Sequence, residues 1–376
     1  MRCHKLLDYI IAVKQLFLKI ETPAVYKMYE AITIKDIAKA LGLSTSTVSR
    51  ALRGSYEISP ETKKLVLEYA EKFNYRPNPI ALSLKERKSR SIGVVISEIA
   101  NHFFSEAIDG IESIAYNRGY HVIISQSHES YERELVNVKH LSSRSVDGLL
   151  VSLSSETNDI GHLKELHDKG LPIVFFDRVT EEIDTHKVIA DNYKGAYDAT
   201  DLLIKSGYKR IAHITNSAQL SITRERLAGY KAALADNKIP FNEAYVKYCN
   251  HGGKILQEIE DAIKDLLNLK QKPDAIFSGS DRLTTSSLST IKTLGLKIPD
   301  DLAFVGFTNY GLVDILDPPL SAVKQPAFEM GQIATEFLIQ LIESKRPVTK
   351  FETRVLQTRL CIRDSAAKKK TPAAKK

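Results

Sequence analysis

Three cysteines in 376 residues, Cys3, Cys249 and Cys361, are too few and too scattered for a disulfide framework. They form no CxxC pair for zinc, and a reducing cytoplasm is the expected setting. No stretch reaches the roughly 18 uncharged apolar residues that a spanning helix needs, so no membrane partner is expected. Near the start, Lys14 and Lys19 interrupt the apolar run and no small-residue cleavage site follows, which argues against a secretion signal. The chain also lacks GxGxxG after a strand, GxxxxGK[ST], GxSxG and HExxH. Asn250-His251-Gly252-Gly253 is a glycine-containing loop with a histidine, but no partner spacing supports catalysis. These absences leave no catalytic residue, metal ligand or cofactor to nominate.

What is present is an ordinary supply of core-forming residues, 43% hydrophobic and 26% charged, over a length that suits two or three domains. The net charge of +7 is unevenly spread. Residues 1–27 hold five basic and two acidic side chains, residues 28–90 twelve and seven, and the tail after Asp364 five lysines. The long remainder is therefore acidic. A basic first quarter on an acidic body points to a polyanion partner at one end. A regular pattern begins only near Ala31, so Met28 is the expected start and residues 1–31 an extension.

Ile34, Ile37, Ala38 and Leu41 fall on one helical stripe, with Thr33 before it as an N-cap. Gly42 tolerates positive φ, Leu43 plugs the turn, and Ser44 caps a second helix from Thr45 to Arg53 that buries Val48 and Leu52. Ser59-Pro60-Glu61 opens a third helix, expected to turn Leu65, Val66, Tyr69, Ala70 and Phe73 inward. This is the helix-turn-helix pattern, expected over 32–77. The second helix would enter the major groove with Thr45, Ser46 and Arg50 toward base edges. Thr47, Ser49 and the amides at Ser44 would hold phosphates, and Thr33 joins the candidate DNA contacts. In the hinge, expected over 78–90, Asn78 caps and Pro79 begins a helix of about two turns, too short to stand alone. Its apolar edge includes Ile80, Ala81 and Leu84, and Leu84 would wedge into the minor groove.

From residue 92 onward, short β-branched runs alternate with amphipathic segments: 92–97, 121–125, 147–153, 172–176, 210–215, 274–279 and 302–307. Such runs predict strands buried on both faces in parallel sheets, and their number predicts two doubly wound α/β subdomains. The effector-binding and dimerisation core is expected over 91–364, and the lysine-alanine tail 365–376 reads as disordered.

Several of these residues carry a family resemblance. Ile34-Lys35-Asp36-Ile37-Ala38-Lys39-Ala40-Leu41-Gly42-Leu43-Ser44 with Thr47-Val48-Ser49-Arg50-Ala51-Leu52 resembles the head of the lactose/galactose repressor family. Asn74-Tyr75, Pro77-Asn78 and Ala81 to Leu84 match its hinge. Asn101-His102-Phe103-Phe104, Phe176-Asp177-Arg178, Arg226-Leu227-Ala228-Gly229-Tyr230 and Ser280-Asp281 match its core, and the likeness runs over 32–363. It implies a core similar to periplasmic sugar-binding proteins, a homodimer on a pseudo-palindromic double-stranded operator, and an effector held between the subdomains. Chain crossings near Asp191 and Gln325 would put 91–190 and 325–352 in the first subdomain and 191–322 with the last strand in the second.

Strand carboxyl ends are where such sheets bind ligands. Phe103, Asp177, Arg226, Asp281 and Asn309, with Ser221 and Thr223, are therefore the expected effector contacts, suited to a sugar or sugar derivative. Thr308-Asn309 stands where many relatives carry an aspartate. The function expected is a ligand-switched transcriptional repressor. A ligand-independent DNA-binding regulator is the alternative, and an α/β enzyme fits least.

Overall fold

The computed structural model describes residues 32–75, 88–144 and 146–367, in two units divided near residue 85. Asn78, Ala81 and Leu84 lie outside the described residues, as does the expected extension 1–31.

The first unit holds three helices, α1 (Ile34–Leu41), α2 (Thr45–Leu52) and α3 (Pro60–Lys72). Thr33 and Asp36 close a reciprocal capping box on α1, Gly42 ends it at φ 65°, and Ser44 and Ser59 cap the next two. Ile37, Val48, Ala51, Val66 and Ala70 form the core. Two expectations need correction: Leu65 and Phe73 of the third helix lie about half exposed. Three short helices enclose little volume, and Val66 with Ala70, one turn apart, already fill it. Phe73 instead packs its ring on Tyr69 at 4.6 Å.

The second unit contains two six-stranded sheets. One comprises β1 (Ser91–Ile96), β2 (His121–Gln126), β3 (Gly148–Val151), β4 (Ile173–Phe176), β5 (Lys187–Ala190) and β11 (Thr353–Leu356). Its strands are all parallel, in the order β11-β5-β4-β3-β1-β2. The other comprises β6 (Ile211–Asn216), β7 (Val246–Cys249), β8 (Ala275–Ser278), β9 (Ala303–Phe307), β10 (Ser321–Lys324) and β12 (Arg359–Cys361). Its order is β12-β10-β9-β8-β6-β7, and only β12 runs antiparallel. Valine, isoleucine and phenylalanine fill these strands because helices cover both faces. The helices that matter below are α4 (His102–Asn117), α5 (Tyr131–Ser143), α6 (Gly161–Asp168), α7 (Asn192–Lys205), α8 (Ser221–Asp236), α9 (Leu256–Asn268), α10 (Asp281–Thr293) and α11 (Ala327–Glu343). Gly229 lets α8 approach α7 so closely that a Cβ there would collide with the Tyr193 carbonyl.

The chain passes between the sheets after β5, after β10 and again between β11 and β12. The first subdomain therefore extends past the expected end at 352, because Val355 pairs with Ile189. Three exposed positions in four hide that edge strand from an apolar-run reading. Of the expected disordered tail 365–376, residues 368–376 lie outside the described residues and the first three are ordered. Ser365 and Ala366 are buried, and the Ser365 hydroxyl accepts the Ser321 amide at 2.8 Å and donates to the Phe304 carbonyl at 2.7 Å. Among the described residues, no helix is long and apolar enough to cross a membrane.

Candidate DNA-reading helix and effector cleft

The start of α2 gathers three hydroxyls. Ser44 Oγ accepts the Thr47 amide at 3.0 Å and shares hydrogen bonds of 2.8 Å with the Ser46 and Thr47 hydroxyls. Thr45 and Ser46 are exposed, while Thr47 and Ser49 are half-buried. One turn on, Arg50 is 53% exposed and pairs with Glu57 at 2.9 Å. An exposed pair of this kind contributes little, so Arg50 can be released to a base at small cost. Thr33 differs, because its hydroxyl is committed to the Asp36 carboxylate at 2.6 Å.

In the second unit the expected cleft residues sit at the carboxyl ends of strands from both sheets. Arg226, on α8, is almost wholly buried. Its Nε and Nη2 donate to Asn192 Oδ1 at 2.9 and 2.7 Å, its Nη1 to the Gly279 carbonyl, and its Nη2 to Gln325 Oε1 at 3.4 Å. The guanidinium lies 3.7 Å above the Phe307 ring. Burial pulls its pKa down to about 10, with Asp177 and Glu225 acting the other way. The charge survives at neutral pH.

Asp281 and Asn309 tie the subdomains together. Asp281 opens α10 and accepts the Thr308 hydroxyl, the Asn309 amide at 2.7 Å and, from the other subdomain, the Phe103 amide at 3.2 Å. Burial raises its carboxyl against those bonds. Asn309 donates through Nδ2 to Glu106 at 2.6 Å and to the Gln325 carbonyl at 2.9 Å, and its Oδ1 accepts the Gln325 amide at 2.9 Å. The Asn309 side chain is thus spoken for by protein groups. Phe103 is 4% exposed, with its ring in the first subdomain's core beside Phe104.

Asp177 has φ 59°, a left-handed conformation that strains an aspartate and fixes where its carboxylate points. Burial raises its carboxyl, while Arg178 and Arg226 oppose the shift. Arg178 is 3.8 Å from Asp177 through Nε, yet its main partner is Glu129, held at 2.6 and 3.0 Å by the two ends of the fork. Burial acts to raise the Glu129 carboxyl, but Arg178 and the Ser155 amide win and hold it low. Ser221 Oγ accepts the Val179 amide at 3.4 Å across the subdomains. Thr223 Oγ1 is buried without a partner, as are Thr215 Oγ1 and Arg178 Nε, while the Gln325 side chain hydrogen-bonds the Asp177 carboxylate and the Ser155 side chain that of Glu129. Buried polar groups are nearly always satisfied, and further unpartnered atoms occur away from the strand ends, among them Ser287 Oγ and Thr290 Oγ1.

Sequence reasoning missed Glu129, Glu106, Asn192 and Thr215 as cleft residues. Asn192 and Gln325 had one usable signal, since each adjoins an expected chain crossing. Glu129 and Glu106 had none, because their partners lie 49 and 203 residues away. Among the described residues there is no cluster of His, Cys, Asp and Glu suited to a metal.

Comparison with known proteins matches two family models. Residues 33–78 match bacterial regulatory proteins of the lacI family, and residues 200–366 match a periplasmic binding protein-like domain. A transcriptional repressor of the helix-turn-helix type, PurR from Vibrio parahaemolyticus, is 32% identical over 89% of this chain and 99% of its own. The ribose operon repressor of Haemophilus influenzae is 33% identical over 89% and 98%. The lac repressor dimer bound to operator and an anti-inducer superposes with a TM-score of 0.76, covering 90% of this chain and all of the other at 23% identity. At that identity the likeness establishes the fold.

Proposed function

The chain belongs to the lacI family of bacterial regulatory proteins and is a DNA-binding transcriptional repressor with a ligand-binding core, and on that premise we propose how it works. A homodimer in the cytoplasm binds a pseudo-palindromic operator through head 32–77 and hinge 78–90, and core 91–364 binds a sugar-like effector. Thr45, Ser46 and Arg50 read bases. Ser44, Thr47 and Ser49 hold phosphates, Thr33 caps the helix that precedes them, and Asn78, Ala81 and Leu84 act at the minor groove. The effector engages Asp177, Arg226, Ser221 and Thr223 directly. Phe103, Asp281 and Asn309 shape the site by joining its two walls.

The observation that carries this reading is the set of buried, unpartnered polar atoms at the strand ends. A ligand that satisfied them would compete with the direct links Phe103–Asp281 and Glu106–Asn309 and so change how the subdomains meet. Such a change can reach the hinge, because the Ser89 and Arg90 amides are bound at 2.7 and 2.9 Å by Asp147 of the first subdomain. Differential binding of this kind is worth about 1–3 kcal/mol of coupling.

Dimerisation is supported by the second subdomain. Ile315 and Leu312 project into solvent, 77% and 48% exposed, beside a cavity of about 580 Å³ lined by Leu288, Ile291, Leu296 and Leu316. A knob and a recess on one subdomain suit a two-fold pairing. The test is selection of bound sequences from random duplexes at moderate salt, repeated with a panel of sugars. A palindromic site whose retention changes with one sugar is the expected result. Tight specific binding that no compound alters would replace this reading with a ligand-independent regulator.

A further inference from the structure

The charges around the cleft say which effectors it can accept. Asp177, Glu225, Arg178 and Asp281 all lie in the field of Arg226, and Glu129 lies in that of Asp177. Carboxylates thus outnumber guanidiniums among groups largely withdrawn from water. From these contacts, and resting on the effector reading above, we infer that the cleft takes an uncharged polyhydroxylated ligand and rejects phosphate esters.

Neither arginine has a fork to offer an anion. Arg178 spends both Nη groups on Glu129, and Arg226 spends its fork on Asn192, Gly279 and Gln325. Bidentate recognition of a phosphate needs those same hydrogens. A helix N-terminus is the other common seat for a phosphate. Here the first amides of α4 are already taken, Phe103 and Phe104 by Asn101 Oδ1 at 3.0 and 3.4 Å, and Phe103 also by the Asp281 carboxylate. The start of α8 has no side-chain cap, but the Glu225 carboxylate, beside Arg226 in that helix's first turns, opposes an anion there. Two rim cations are matched, Arg282 with Glu98 and Lys324 with Glu106, and Arg224 donates to the Gln219 carbonyl beside Glu225.

The groups left unsatisfied have a different character. Thr215 and Thr223 offer hydroxyls that both donate and accept, and each is 2% exposed or less. Arg178 Nε adds one donor direction, while the Gln325 amide already serves the Asp177 carboxylate. These groups sit together. Gln325 reaches Arg226 through its own Oε1, Arg178 Nε is 3.8 Å from Asp177, and a Cβ on Gly279 would lie 3.1 Å from Thr215 Oγ1. Mixed donors and acceptors beside a carboxylate complement the hydroxyls of a sugar, which brings no charge to be compensated. A phosphate dianion would enter a buried set whose two guanidiniums are already engaged by protein groups, at a cost large enough to abolish useful binding.

The test is calorimetric titration of the full chain with matched pairs: D-ribose and D-ribose 5-phosphate, D-glucose and D-glucose 6-phosphate, and inorganic phosphate alone. The expected result is saturable binding of a neutral sugar, its ester weaker by about 100-fold or more, and no saturable heat from phosphate. Loss of the sugar signal in Asp177→Asn would place that binding in the cleft. An ester that binds as tightly as its parent sugar and loses affinity in Arg226→Met overturns the inference. Saturable phosphate binding abolished by Arg226→Met does the same. Silence from every sugar and every ester instead removes the effector reading itself, and this inference falls with it.

Discussion

The head and the cleft use polar side chains in opposite ways. In the head, Thr45, Ser46 and Arg50 stand in solvent above a small apolar core, so the reading surface and the folding core are separate sets of residues. In the cleft, Asp177, Arg226 and Asn309 are nearly inaccessible and Asp281 is half-buried, and each is tied to groups that hold the subdomains together. A substitution in the head should therefore damage either folding or binding. In the cleft the two are coupled, because removing one partner strands another buried polar group.

The sharpest way to break this comparison is to empty the head's core. Ile37→Ala removes a fully buried side chain and should cost about 2–5 kcal/mol, enough to unfold three short helices. Operator binding should vanish while the core's own melting transition stays in place. A shift of both transitions together would contradict the separation.

The next effect belongs to the core alone. His213 is stacked between Tyr230 and Phe277, and burial pulls its pKa from 6.5 down to about 4. The unfolded chain therefore binds this proton more readily than the native state. Stability is full above pH 6.5 and falls as pH drops toward 4, by about 3 kcal/mol. Denaturant melts of the core across that range should show the loss, and His213→Gln should flatten it. A flat wild-type profile would mean that the ring finds a partner or water when protonated.

Arg50→Ala should leave the fold intact and weaken a selected operator by about 1–3 kcal/mol, with non-specific binding nearly unchanged. Anisotropy titrations with specific and scrambled duplexes separate the two, and an equal loss on both would reduce Arg50 to a phosphate contact. The smallest effect comes from Thr33→Ala, which opens the capping box and should lower the head's stability by about 1 kcal/mol. Thermal melts of the head's transition measure it. A larger fall in DNA affinity than in stability would assign the Thr33 hydroxyl to DNA as well.

The same contrast governs how much was legible in the sequence. The head was readable because its signals are local: Thr33, Ser44 and Ser59 cap helices within three residues, and Gly42 supplies the left-handed turn that ends the first helix. Long apolar runs announced β1, β4, β8 and β9. The shorter strands β5, β7, β10, β11 and β12 gave no such run, being three or four residues long with polar or exposed positions. In the cleft, strand-end reasoning reached Asp177, Arg226 and Asp281. It did not reveal that Asn309 clasps Glu106 or that Glu129 neutralises Arg178, since pairings across two sheets leave no spacing to read.

The central claim is that one ligand and one DNA site bias the same protein, and reciprocal linkage tests it most directly. The affinity for the selected operator is measured with and without saturating effector, and the affinity for effector with and without saturating operator. The two ratios should be equal and differ from one, on the order of 5- to 150-fold. An operator affinity unchanged at full effector occupancy would contradict the claim and leave the cleft a binding site with no hand on the DNA.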